Sequence, residues 1–216
     1  MDELDRDGVW AVVREERARL VEDLAPIGPE GFGRPSQCPG WDVHDVLAHL
    51  VDTALTTRRG FVAQMVRSRF DFDRANARGV ARHRRPTGHE TLESMRRVVD
   101  LRRTPPAPLA SRLVEAVVHG EDVRRPLGIV PRYPVAAVVD ALRYQVRTSV
   151  GLGGAREHVA DVRLRAGDVE LTHGDAGADE VAGNALDLLM LVSGRAVADE
   201  AVEGAGLATL RRRVGA

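Results

Sequence analysis

The 216-residue chain contains no lysine, so all 31 of its basic residues are arginine. That absence excludes any mechanism built on a lysine amine, such as a Schiff base. A single cysteine, Cys38, excludes an intramolecular disulfide and fits a reducing compartment. Only eight residues are aromatic, too few for a base-stacking platform. The 31 basic and 32 acidic residues leave a formal charge of -1, without the basic excess of a nucleic-acid-binding surface. No apolar run approaches the roughly 18 to 20 residues of a membrane span. The opening Met1–Asp7 stretch is acidic and lacks the basic-then-apolar layout of a signal peptide. The expectation is a cytoplasmic protein with neither nucleic-acid nor membrane partners.

What is present is a 44% hydrophobic chain, enough for a packed core. Apolar positions recur at helical spacing over Val9–Leu24. A Pro- and Gly-rich loop follows, from Ala25 to Gly40. Asp42 is positioned as the N-cap of a second helix, with Asp45 as its capping-box partner. That helix is expected to run to about Phe70, with Gly60 as a weak point. Asp71–Gly88 reads as irregular, Glu90–Arg103 as a third helix and Leu109–Arg124 as a fourth. Four amphipathic helices predict a bundle over residues 1–131.

The pattern changes beyond Pro134. Val135–Val150 reads as a helix, and Val162–Arg165 and Val169–Thr172 alternate as a hairpin about Ala166–Asp168. Asn184–Val192 and Gly206–Val214 read as short helices. The fold class is therefore mainly α, a bundle followed by a small α+β domain over 132–216. An apolar helix face serves a core and an interface alike, so the sequence assigns no oligomeric state.

The chemistry concentrates in two segments. In the fourth helix, Glu115 and His119 are four apart and share a face, with Asp122 a turn further on. His49 would come from the second helix. A carboxylate and two imidazoles suit zinc and similar ions, and three ligands leave an open position. A Glu-x3-His pair is also an ordinary solvated helix face. Asp45 and Asp52 lie within a turn of His49, where either could orient its imidazole or simply form an acidic surface. Cys38 and Trp41 read as packing residues, His44 as exposed, and Arg211–Arg213 as a solvated face. His83, His89, His158 and His173 lack partner spacing.

The words around these residues resemble a known family. Cys38-Pro39-Gly40-Trp41, leading into Asp45-Val46-Leu47-Ala48-His49-Leu50, is similar to the N-terminal signature of the mycothiol-dependent maleylpyruvate isomerases. The stretch from Glu115-Ala116-Val117-Val118-His119-Gly120-Glu121-Asp122 to Gly128 resembles that family's second signature. Phe70–Arg78, Thr172-His173-Gly174-Asp175 and Leu188–Arg195 are also similar to family segments. The resemblance implies a DinB-like four-helix bundle and a sterol-carrier-like C-terminal domain. It implies a divalent metal, usually zinc, on His49, Glu115 and His119, with mycothiol as thiol cofactor and an electrophilic small molecule as substrate. Arg195, in the Gly-Arg match, is the candidate catalytic cation for a substrate carboxylate. The competing reading is a non-catalytic binding protein with a structural or vestigial metal and a small apolar ligand in the C-terminal domain.

Overall fold

A computed structural model describes residues 3–215. Met1 and Asp2, part of the acidic N-terminus, and Ala216 lie outside the described residues. The chain divides into two compact units, Asp5–Arg132 and the segment from Tyr133 onward, which Leu4 joins.

In the first unit α1 spans Arg6–Leu24, α2 Pro29–Phe32, α3 Val43–Leu55, α4 Arg58–Arg67, α5 Phe72–His83, α6 Gly88–Arg96 and α7 Ser111–Leu127. Helices α1, α3, α6 and α7 pack on one another, and α5 lies along α3. The inward faces of α1, α3 and α6 build the core through Leu20, Leu24, Val43, Leu47, Leu92 and Met95. Each such side chain stabilises the fold by about 1.5–3 kcal/mol on full burial.

Helix α3 begins as expected. Asp42 Oδ1 accepts the Asp45 N–H at 2.7 Å, and Asp45 Oδ2 accepts the Asp42 N–H at 3.2 Å, a complete capping box. The helix stops earlier than the sequence suggested, and Gly60 is not the cause. Thr56 adopts an extended backbone, and Thr57 Oγ1 caps α4 by accepting the Gly60 N–H at 3.1 Å. Two adjacent β-branched residues with capping hydroxyls favour this break.

The 71–88 stretch is largely helical rather than irregular. Asp71 Oδ1 caps α5 by accepting the Arg74 N–H at 2.9 Å. Its apolar signal is thin because the face it buries is made of Ala75, Gly79 and Val80. A Cβ at Gly79 would come 2.3 Å from Asp52 Oδ2, so the close approach of α5 to α3 needs glycine there.

Helix α7 runs through Pro126 and ends at Gly128, whose φ of 73° supplies the left-handed cap. Proline has no N–H to give the carbonyl four residues back. The Asp122 carbonyl accepts instead from Gln37 N–H at 3.1 Å, which fastens the loop before α3 to the middle of α7.

The second unit contains α8 (Val135–Arg147), β1 (Val162–Ala166), β2 (Leu171–His173), β3 (Asp179–Gly183), α9 (Ala185–Val192), β4 (Val202–Glu203) and α10 (Leu207–Val214). The expected hairpin forms, with β1 and β2 antiparallel and Leu164 opposite His173. Strands β3 and β4, short and rich in small or acidic residues, were not expected. The sheet order is β2-β1-β3-β4, with β1 and β3 parallel. Val162, Leu164 and Ala166 alternate inward, and α9 is buried through Leu188, Leu189, Met190, Leu191 and Val192. The fold class is thus mainly α with a small α+β unit.

Candidate metal centre

Helix α3 carries His49 and helix α7 carries Glu115 and His119 to one place inside the first unit. One donor atom from each lies within 4.8 Å of the others. Among the described residues this is the one group of three or more His, Cys, Asp or Glu side chains that could hold a metal ion. Glu115 Oε2 lies between the two imidazoles, 3.3 Å from His49 Nε2 and 3.8 Å from His119 Nε2. The rings meet edge to face, with centroids 4.8 Å apart.

The environment of His119 favours a ligand role. Its Nδ1 is 2.8 Å from Asp122 Oδ2, and Asp122 is fully buried. A carboxylate accepts, so Nδ1 carries the donated proton, and Nε2 is the ring nitrogen left facing Glu115. The Asp122 carbonyl, released by Pro126, holds Gln37 as described. One residue therefore orients the imidazole with its side chain and anchors the loop bearing Cys38 and Trp41 with its backbone. Trp41 packs at 5.1 Å, ring to ring, against His49.

His49 is supported differently. Neither Asp45 nor Asp52 orients it. Asp45 is taken up by the capping box and by Arg84 at 2.6 Å. Asp52 faces Arg82 and His83, each at 3.3 Å. His49 Nδ1 is buried without a hydrogen-bond partner, as is Glu115 Oε2. Packing by Trp41 rather than a hydrogen bond constrains the His49 ring.

Two buried arginines stand beside the carboxylate. Arg112 Nη2 is 3.5 Å from Glu115 Oε1, and Arg112 is only 4% exposed. Arg17, on α1, donates to the Leu101 carbonyl at 2.8 Å. Burial and the neighbouring Arg112 charge push the Arg17 guanidinium down to about 10. Burial would raise the Glu115 carboxyl, but its interactions with His49, Arg112 and His119 outweigh that and hold the group well below the usual carboxylate range. Glu115 is thus an anion at neutral pH, as a ligand must be. Arg112 was legible as an opposite charge three residues before Glu115; Arg17 left no signal, since nothing in the pattern places α1 against α7.

The donor set fits a divalent ion chemically. It offers two imidazole nitrogens and one ionised carboxylate, a combination typical of catalytic sites with an open position. The orphaned Glu115 Oε2, aimed between two Nε2 atoms, has the unmet demand that a cation satisfies.

The remaining candidates separate. Cys38 is partly buried against the core beside Trp41. His44 is buried rather than exposed, with Nε2 2.7 Å from Thr91 Oγ1. Its ring lies near Phe32, because α2 folds back over the start of α3. Arg195 belongs to the second unit, where it follows α9, is half-buried and donates to the Ser193 carbonyl. Of the three C-terminal arginines, Arg211 pairs with Asp199 at 2.8 Å and Arg213 donates to the His158 carbonyl at 3.2 Å.

A mainly α chain whose first unit gathers two imidazoles and a carboxylate defines a class before it defines a protein: helix bundles with a candidate metal site in the core. Residues 13–107 match the family model described as the mycothiol maleylpyruvate isomerase N-terminal domain. That stretch includes His49 and ends before Glu115 and His119. Two solved structures share the fold over almost the whole chain. One is a mycothiol-dependent maleylpyruvate isomerase (TM-score 0.66, 14% identity, 95% of this chain and 96% of that one). The other is a histidine-to-alanine mutant of a mycothiol-dependent maleylpyruvate isomerase (TM-score 0.66, 13% identity, the same coverage). No curated protein matches the chain. The first unit thus resembles that N-terminal domain over residues 13–107, and the two solved structures show the fold that the chain shares with them. No helix among the described residues is long and apolar enough to cross a membrane.

Proposed function

We propose that this chain is a metal-dependent enzyme that uses the low-molecular-weight thiol mycothiol to attack an electrophilic small molecule, as an isomerase or an S-transferase. The observation that carries the reading is Glu115 Oε2, buried without a hydrogen bond between His49 Nε2 and His119 Nε2, with Asp122 fixing the His119 tautomer. His49, Glu115 and His119 would hold the ion, with zinc the expected choice. When bound, such an ion stabilises the thiolate form of a sulfur ligand, whose free pKa is near 8.5. The protein's own part is to orient and to exclude. Asp122 keeps the Nδ1 proton on His119, Trp41 covers the His49 ring, and Arg112 faces the outer oxygen of Glu115. Arg195 is proposed as the guanidinium that binds a substrate carboxylate through paired N–H donors. The match of residues 13–107 to the mycothiol maleylpyruvate isomerase N-terminal domain supports mycothiol as the thiol.

The competing reading, a non-catalytic binder of an apolar molecule, has a weaker basis. The second unit has a cavity of about 470 Å³, but Arg143, Arg147, Glu170 and His173 share its wall with Leu142, Val146 and Leu171. Such a lining suits a charged molecule better than an apolar one.

Calorimetric titration of zinc-loaded and chelated protein with mycothiol tests the proposal. Heat of binding that appears only with the metal supports it. Equal binding in both forms, or none, contradicts the thiol role, and a conjugation screen over varied electrophiles then separates isomerase from transferase.

A further inference from the structure

Arg112 is an expensive residue to bury, and its contacts do not explain why it is there. Its Nε is 3.4 Å from Ser111 Oγ, and its Nη2 is 3.5 Å from Glu115 Oε1, both at the long limit of a polar contact. Its Nη1 is buried and has no hydrogen-bond partner. Arg17 lies close by but is accounted for, since its guanidinium ties the carbonyls of Val98, Val99 and Leu101 to α1. A guanidinium present for stability would make short, paired bonds, because an unpaired buried charge costs several kcal/mol.

The two oxygens of Glu115 are divided in their neighbours. Oε1 faces Arg112, and Oε2 faces both imidazoles. Arg17, Arg112 and Glu115 also line one small void of about 20 Å³, together with Glu16, whose carboxylate is paired with Arg19 and Arg124. No second carboxylate among the described residues pairs with Arg112. Arg112 therefore sets one fixed positive charge directly behind the glutamate.

We infer that Arg112 is a positioning residue that reserves Glu115 Oε1, so that Oε2 alone faces the ion, and whose charge favours an anionic ligand at the position left open. This rests on the metal reading proposed above. A carboxylate held at one oxygen occupies one coordination position instead of two, which keeps the fourth position available. The positive charge behind the glutamate then favours an anion there over a neutral molecule, through low-dielectric surroundings that screen it poorly.

Cobalt(II) in place of zinc gives a visible spectrum that reports ligands at the ion, and azide serves as the anionic probe. Arg112→Met removes the charge and keeps the volume; Arg112→Lys keeps the charge. Azide affinity of the cobalt-loaded protein is expected to fall about tenfold or more in Arg112→Met and to stay within about threefold in Arg112→Lys. Unchanged azide affinity in a folded, cobalt-loaded Arg112→Met protein overturns the role of Arg112 and leaves the metal site standing. A wild-type protein that takes up no cobalt overturns the metal reading itself, and this inference with it. If Arg112→Met does not fold, a crystal structure of the cobalt-loaded wild type decides the matter. Glu115 bound through Oε2 alone, with Oε1 still on Arg112, supports the inference; both oxygens on the ion overturn it.

Discussion

Helices α3 and α7 face each other in the same bundle and bury different mixtures: α3 is mostly apolar beside His44, His49 and Asp52, and α7 adds charged residues to Leu113, Val117, Val118 and Val123. Helix α3 turns Val43, Val46, Leu47, Ala48, Leu50, Val51 and Ala54 inward. Helix α7 buries Arg112, Glu121, Asp122 and Arg124, with Glu115 and His119 half-covered. Arg124, fully buried, is held by Asp23 at 2.7 Å and Glu16 at 3.3 Å, both on α1. The difference separates two tasks. The apolar face of α3 supplies cohesion that needs no particular geometry, whereas each charge on α7 must meet a partner or remain costly. The paired charges thus fix α7, which bears two of the three candidate ligands, against its neighbours.

Substitutions on the two helices should therefore fail in different ways. The largest effect is expected for His119→Ala, which removes a proposed ligand from a folded protein. Its zinc affinity, measured by chelator competition, should fall by more than the roughly hundredfold that an outer partner of a ligand is worth, while the melting transition persists. Leu47→Ala should do the reverse. Leu47 is fully buried, so denaturant titration should show a loss of about 2–5 kcal/mol with the zinc affinity of the folded protein unchanged. Asp122→Asn, which keeps the shape but disturbs the His119 tautomer, should cost roughly tenfold to hundredfold in zinc affinity.

How far the sequence foretold this contrast follows from what each helix buries. The apolar period of α3 and its Asp42–Asp45 cap were legible because both are local patterns. So was the shared face of Glu115 and His119, one helical turn apart. Helix α5 was missed because its inward face is alanine, glycine and one valine, which leave almost no hydrophobic period. The partner of His49 was sought in Asp45 and Asp52, but caps and neighbouring helices claim both carboxylates. Those competitors, Arg84, Arg82 and His83, reach them only through tertiary packing. The fourth helix was expected to end about Arg124, yet α7 runs on through Pro126, and the Asp122 carbonyl that proline leaves without a helical donor accepts from Gln37 of the loop before α3.

The smallest expected effect lies at the start of α3, away from the ligands. Burial, with the Arg84 charge adding to it, pushes His44 below its ordinary value, and its neutral ring bonds Thr91. The unfolded chain then binds the proton more readily. The stability that His44 contributes is present above about pH 6.5 and is lost as pH falls toward the folded-state value. Denaturant melts between pH 5.5 and 7.5 should show wild type weakening on the acid side, with a slope from this group of at most about 1.4 kcal/mol per pH unit. His44→Asn should flatten that slope.

The account stands most directly on whether His49, Glu115 and His119 hold an ion together. Elemental analysis of protein equilibrated with zinc and passed into metal-free buffer measures this, for wild type beside His49→Ala, Glu115→Gln and His119→Ala. About one zinc per wild-type chain is expected, and a small fraction of that in each folded variant. A wild-type chain that retains no zinc, or variants that retain as much as wild type, would contradict it.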